Sequence, residues 1–154
     1  MKTLLLSTLK LSLFAIAKIP LIFFLGPKII KLNDETCEAV IPLTYRSRNH
    51  LHSQYFGALA VGADLCIGLI ATHHIKKSHK KISLVFKDFT ADFKKLAKAD
   101  VHFHCLEGGK IETLVDKVIA TGTRQNATIR GFATTPKVSG DEIIMNFSLT
   151  LSLK

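Results

Sequence analysis

The sequence predicts an α+β fold in which an antiparallel sheet curls around one long central helix, with an extra helix at the N-terminus. Three observations predict it. Residues 57–71 form an apolar run interrupted only by Asp64 and without strand-like alternation, and helices that are apolar all round are core elements. From Ile82 to Leu153 most segments alternate apolar and polar residues, the pattern of half-buried strands. One long helix followed mainly by strands gives an α+β layer rather than a parallel α/β sheet.

The elements follow in order. Leu6, Leu9, Leu13 and Ala17 share one helical face, with Thr3, Ser7, Lys10 and Lys18 largely elsewhere. That predicts a basic amphipathic helix packed on the domain or on a dimer partner, with membrane-surface contact as the alternative. The same stretch imitates a secretory signal, but Lys10 interrupts its apolar centre. Lys18 keeps it from merging with residues 19–25 into a membrane-length span of about 20 apolar residues. Pro20 bends or divides the first helix, and Gly26-Pro27 breaks the chain again. Asn33-Asp34-Glu35 is a turn. Cys37, Ala39, Ile41 and Leu43 alternate in a first strand, where Pro42 predicts an unpaired edge or a bulge. Residues 46–55 form a polar loop before the long helix, from about Gly57 to His74.

Ile82, Leu84 and Phe86 alternate, and Phe89, Ala91 and Phe93 alternate in the opposite phase, so Lys87-Asp88 is read as a β-bulge. Val101, Phe103 and Cys105 make a further strand. Ile111, Leu114, Val115, Val118 and Ile119 carry helical spacing, although a strand is also compatible; Gly122 would end the helix. Ala127, Ile129 and Ala133 form the next strand, Ser139-Gly140-Asp141 turns it, and Ile143 to Leu153 is the clearest strand of all. The 154 residues suit a single domain, 1–154, with 1–32 as an N-terminal helical extension and 33–154 as the core. A curled sheet has open edges, which two copies side by side would cover.

A net charge of +9 favours anionic partners: phosphorylated ligands, acidic membrane surfaces or nucleic acid. The lysine clusters at 76–81 and 94–98 lack the interleaved aromatics of nucleic-acid modules and are read as solvated faces, so nucleic acid is not expected. Cys37, Cys66 and Cys105 are odd in number, widely spaced and without a CxxC, which argues against disulfides and a zinc site and for a reducing, cytoplasmic location. His102 and His104 would share a strand face, but no metal-ligand spacing is present and no metal is expected.

Asp64 is the most informative residue. It is the only formally charged residue between Arg48 and Lys76, inside the apolar run. Burial disfavours its charged form, which makes it a candidate for a raised pKa and for chemistry. The alternative is an Asp that hydrogen-bonds a neighbouring loop. Upstream, the loop and helix read Asn49-x5-Tyr55-Phe56-Gly57-x6-Asp64. This spacing resembles the hotdog-fold acyl-CoA thioesterases of the phenylacetyl-CoA thioesterase-like group, in which an Asn precedes His-Gly-Gly and an acidic residue lies seven positions past the second Gly. Asn49, Gly57 and Asp64 fit. Residues 46–51 and 55–64 are closer still to an uncharacterised branch, and the resemblance covers about residues 19–154. Tyr55 stands in place of the His, Phe56 in place of the first Gly, and Leu96 in place of a usual Pro.

The resemblance implies a hotdog fold, a homodimer or dimer of dimers, active sites between subunits, and coenzyme A as part of the substrate with no separate cofactor. Chemistry supplies roles. Asp64 would be general base or nucleophile. The amide of Gly57, at a helix start, would bind the oxyanion. Asn49 and Tyr55 would position water or substrate, and Phe56 and Ala58 would contact the acyl group. Arg124, Arg130 and the 76–81 lysines are candidates for the coenzyme A phosphates. Gly57 and Asp64 lie roughly 10 Å apart along a helix at about 1.5 Å per residue, so one carbonyl would need Asp64 from one subunit and Gly57 from the other. A catalytically weak acyl-binding module is the alternative, motivated by Tyr55 at the His position, and a basic membrane-surface protein is a third reading.

Overall fold

The structure, a computed structural model, describes Thr8, Leu9 and residues 19–154. The N-terminal amphipathic helix otherwise lies outside the described residues; Thr8 and Leu9 are helical, and the Thr8 hydroxyl accepts a hydrogen bond from the Ile29 amide at 3.2 Å. Helix α1 (Pro20–Leu25) begins with its proline in the first turn, where a missing N–H costs nothing. It ends at Gly26, whose left-handed φ of 62° lets its N–H cap the Phe23 carbonyl.

Strand β1 (Lys28–Leu32) follows immediately. This corrects the assignment of residues 1–32 to a helical extension: the last five of them form an edge strand, paired antiparallel with β2 (Cys37–Ile41). Gly26 and Pro27 stop the helix, and β2 supplies the ladder. Asn33 closes the turn by accepting hydrogen bonds from the amides of Glu35 and Thr36. Strand β2 ends at Ile41, so Pro42 lies just beyond the ladder rather than on an open edge or bulge.

The long helix α2 (Phe56–Lys77) is followed by β3 (Leu84–Phe93), β4 (Val101–Cys105), α3 (Gly108–Thr121), β5 (Gln125–Thr134), the short α4 (Pro136–Ser139) and β6 (Ile143–Leu153). Six antiparallel strands are ordered β1-β2-β4-β5-β6-β3, which leaves β1 and β3 as the two edges. Helices α2 and α3 pack on one face. Val101, Phe103 and Cys105 of β4, and Phe147, Leu149, Leu151 and Leu153 of β6, point into that core with alternating outward neighbours. Ala63, Cys66, Ile67, Ile70 and Ala71 of α2 meet them fully buried.

The β-bulge expected at Lys87-Asp88 is present: Phe86 pairs with Leu151 and Phe89 with Leu149, one extra residue on β3. The Asp88 carboxylate accepts the Thr150 amide at 3.1 Å and pins the irregular step. Residues 111–119 are helical, ending at Gly122 with φ 63°. The turn at 33–35 is tied to the far end of α2. Asp34 accepts from Lys77 at 2.6 Å and bonds His73 at 2.8 Å, while its backbone carbonyl meets the buried His74 ring at 2.8 Å. The hydrogen bonds from Lys77 and then His73 hold the Asp34 carboxyl down at about 2.

Candidate functional site

Helix α2 presents one stripe that is neither core nor solvent: Gly57, Ala60, Val61, Asp64 and Gly68 are all half-buried. Their spacing of three, four, seven and eleven residues places them on one face. The stripe runs beside β3. Ala60, Val61 and Asp64 line an open groove of about 400 Å³ with Phe86, Lys87, Asp88 and Phe89 of the bulge and Leu149 of β6. Gly68 leaves room for the Phe86 ring, whose nearest atom would stand 3.8 Å from an added β-carbon.

The Asp64 carboxylate has no hydrogen-bond or ion-pair partner among the described residues. It does not hydrogen-bond a neighbouring loop. Burial alone pushes its pKa above the usual carboxylate value. An unpaired carboxylate against apolar walls is a stronger base than a solvated one and carries no clamp against moving a proton.

The start of α2 carries unpaired donors. Tyr55 occupies the cap in an extended conformation; its amide donates to the Ser47 carbonyl at 2.7 Å and its own carbonyl accepts the Leu59 amide. No side chain caps the helix and no acid lies in its first turn. The amides of Phe56, Gly57 and Ala58 therefore lack protein acceptors among the described residues, which suits a developing negative charge. Phe56 begins the helix without a positive φ, so no glycine is required there. The Tyr55 ring folds over Gly57: a β-carbon at 57 would lie 2.7 Å from its Cε1. Gln54, one residue earlier, is buried with neither amide atom hydrogen-bonded.

The remaining expected site residues are placed unequally. The Phe56 ring is exposed and tilted against Phe93 of β3, centroids 5.6 Å apart, at the helix start. Ala58 is buried in the core, so its methyl does not face the groove; only its amide belongs to the helix start. Asn49 bonds within its own loop. Its Oδ1 accepts from the amides of Leu51 and Ser53, and its Nδ2 donates to Ser53 Oγ. Its side chain organises the turn, in the manner of Asn side chains that mimic backbone turns, and has no bond to Asp64. Of the cationic candidates, Lys77 is committed to Asp34 and Glu112, and Arg124 to Ser152 Oγ. Among the described residues the Arg130 side chain has no ion pair.

Phe86, Phe89 and Asp88 were not anticipated as groove residues. The phase switch at Lys87-Asp88 was visible, but which face of the bulge meets α2 depends on packing. On the outer sheet face His102 bonds Glu38 at 2.7 Å and His104 stacks on Phe132. Among the described residues no group of three or more His, Cys, Asp or Glu side chains is placed to hold a metal ion. The three cysteines are buried and free. Cys37 and Cys105 face each other across β2 and β4, and burial pushes the Cys105 thiol up to about 11.

A six-stranded antiparallel sheet around one long central helix defines the hotdog fold. Comparison with known proteins agrees. The chain belongs to the family described as Domain of unknown function (DUF4442), whose model matches residues 8–118. A solved protein of unknown function from Chlorobaculum tepidum is similar in structure, with a TM-score of 0.81 at 13% identity over 96% of this chain and 93% of that one. A candidate thioesterase from Shewanella oneidensis has a TM-score of 0.80 at 11% identity, covering 99% of this chain and 98% of its own. A protein of unknown function from Pseudomonas aeruginosa, also named as a candidate thioesterase, has a TM-score of 0.76 at 18% identity with 94% of both chains covered. Likeness at these identities carries the fold. No curated protein matches the chain.

Proposed function

We propose that this protein is an acyl-CoA thioesterase that hydrolyses an acyl or aryl-acyl thioester at a site assembled between two copies. The observation that carries the reading is the unpaired Asp64 carboxylate, its pKa raised by burial, in an apolar groove against an edge strand. Asp64 takes a proton from water as the hydroxide attacks the thioester carbon. The charge that develops on the carbonyl oxygen falls to open amides at an α2 start, Gly57 foremost. Collapse breaks the carbon–sulfur bond, and the proton held by Asp64 passes to the departing thiolate. The products are a carboxylic acid and a free thiol.

Gly57 and Asp64 lie on one stripe two turns apart, too far for one carbonyl to touch both in the same chain. Strand β3 supports the two-copy arrangement. It is a ten-residue edge that exposes Val85, Phe89 and Phe93, the last of them beside the Phe56 ring, and such an edge calls for cover. Two β3 strands side by side would join the sheets and bring the α2 start of one copy toward Asp64 of the other.

Thiol release from short, long and aromatic acyl-CoAs, with Asp64→Asn as comparison, tests the reading. Turnover that collapses in the variant is expected; equal turnover by both proteins would overturn the assignment. The loop-bound Asn49 side chain and Tyr55 at the cap favour a second reading, an acyl-binding module that does not hydrolyse. Acyl-CoA binding by calorimetry without thiol release would select it.

A further inference from the structure

We propose that the end of the molecule formed by α1 and the loop of residues 42–55 is a docking surface for anionic phospholipid membranes. Helix α1 turns Ile22 and Leu25 into the core and leaves Leu21, Phe23 and Phe24 exposed. Beside it stand two arginine–aromatic stacks. Arg46 lies 5.6 Å above the Phe24 ring and donates through Nη1 to the Phe24 carbonyl at 3.2 Å. Arg48 lies 5.4 Å above Tyr45, which is 85% exposed. Among the described residues neither arginine has an acidic partner, nor does Lys31 of the adjoining strand; Lys28 there forms no ion pair, though its charge acts on the Asp100 carboxylate. Apolar rings with cations at their faces suit the boundary between acyl chains and phosphate headgroups.

Other occupants fit less well. Strand β1 is at the opposite edge of the sheet from β3, and Lys28 and Lys31 blunt it against strand addition by a second copy. A single-stranded nucleic acid would stack its bases on open ring faces, but here a guanidinium already covers one face of each ring, and Leu21 and Phe23 offer a nucleic acid nothing polar. A lipid surface takes the rings edge-on and the guanidiniums at the phosphates together. The same loop runs into the α2 start, since Ser47 holds the Tyr55 amide at 2.7 Å. Docking would therefore hold that helix start near the bilayer. The proposal does not depend on catalysis.

The chain contains no tryptophan, so Tyr45→Trp gives a single reporter. The full-length variant and the wild type are mixed with vesicles of phosphatidylcholine alone or with added phosphatidylglycerol. A blue shift and co-sedimentation with the anionic vesicles only, weakening with salt, are expected. Phe23→Ser combined with Phe24→Ser should abolish both, and Arg46→Ala or Arg48→Ala should each weaken binding by about fivefold. Because the two arginines are exposed, their variants test the proposal even if the phenylalanine pair disturbs folding. Absence of a shift and of co-sedimentation with anionic vesicles would overturn it. So would unchanged binding by both arginine variants, a shift that tracks protein concentration without vesicles, or binding of single-stranded RNA alone. Thiol release from a soluble short-chain acyl-CoA should stay unchanged in the arginine variants, which separates failure of docking from failure of the hydrolase reading.

Discussion

Gly62 of α2 faces the ring of Phe103 on β4 so closely that a β-carbon at position 62 would overlap the ring edge. Phe103 is fully buried and tilted against Phe147 at 6.2 Å, and the Phe147 ring in turn fills the space beside Gly131. The helix approaches the sheet this closely because position 62 has no side chain. Gly62→Ala should therefore destabilise the fold by about 1–3 kcal/mol through overpacking, read from the shift in urea midpoint. Gly68→Ala, where the nearest atom stands at 3.8 Å, is the control and should be neutral or slightly stabilising. Equal losses from both would refute the packing argument.

Asp64 gives a signed pH prediction. Burial raises its carboxyl above 3.8 in the folded state. A raised carboxyl favours the protonated fold, so its contribution is present below 3.8 and is lost as pH rises through the folded-state value. The stability advantage of Asp64→Asn over the wild type should therefore grow as pH rises through that window. Catalysis should run the other way, with kcat falling by about 10²–10⁴-fold in the variant. Denaturant titrations across pH together with thiol release check both halves. An Asp64→Asn protein that loses stability at neutral pH would mean the carboxylate has a stabilising partner.

The Asp34 hub has the opposite sign. Its carboxyl is held at about 2 by Lys77 and His73. That contribution is complete above 3.8 and is lost as pH falls from there toward 2. Asp34→Asn should weaken the protein at neutral pH and flatten the acid limb of its stability curve. Thermal unfolding across that range would show it, and parallel curves for the two proteins would rule the hub out.

Strand β3 should govern assembly. Phe93→Lys puts a cation beside the exposed Phe56 ring at the open edge, where the loss of a central aromatic contact costs about 2 kcal/mol or more of association. Sedimentation velocity should show a shift toward monomer, with hydrolysis lost in parallel. A monomeric variant that keeps full turnover would refute the two-copy site.

Much of this architecture was legible because its signals are local. Alternation marked β3 to β6 apart from their ends, the phase change at Lys87-Asp88 marked the bulge, and the apolar run marked α2. Strand β1 was missed because only Ile29 of its five residues is fully buried, so no alternation was there to find; its identity comes from pairing with β2. Distance along the chain hid the rest. Asp34 meets partners 39 and 43 residues away, and no local pattern reports such a contact. Asn49 had the expected residue type at the expected spacing, yet Ser53, four residues on, takes up its amide. Spacing located Asp64 on the groove stripe but did not disclose that Ala58, one residue past Gly57, turns inward.

The Tyr55 ring over Gly57 also constrains how this chain can change. While the tyrosine is present, any side chain at 57 must displace it, so substitutions at the two positions are not independent. Tyr55 is exposed, so its ring can swing aside, and that movement rather than a rebuilt backbone is what a side chain at 57 demands. The two sites are coupled, and a deep mutational scan scoring them singly would understate what position 57 can accept beside a smaller residue at 55.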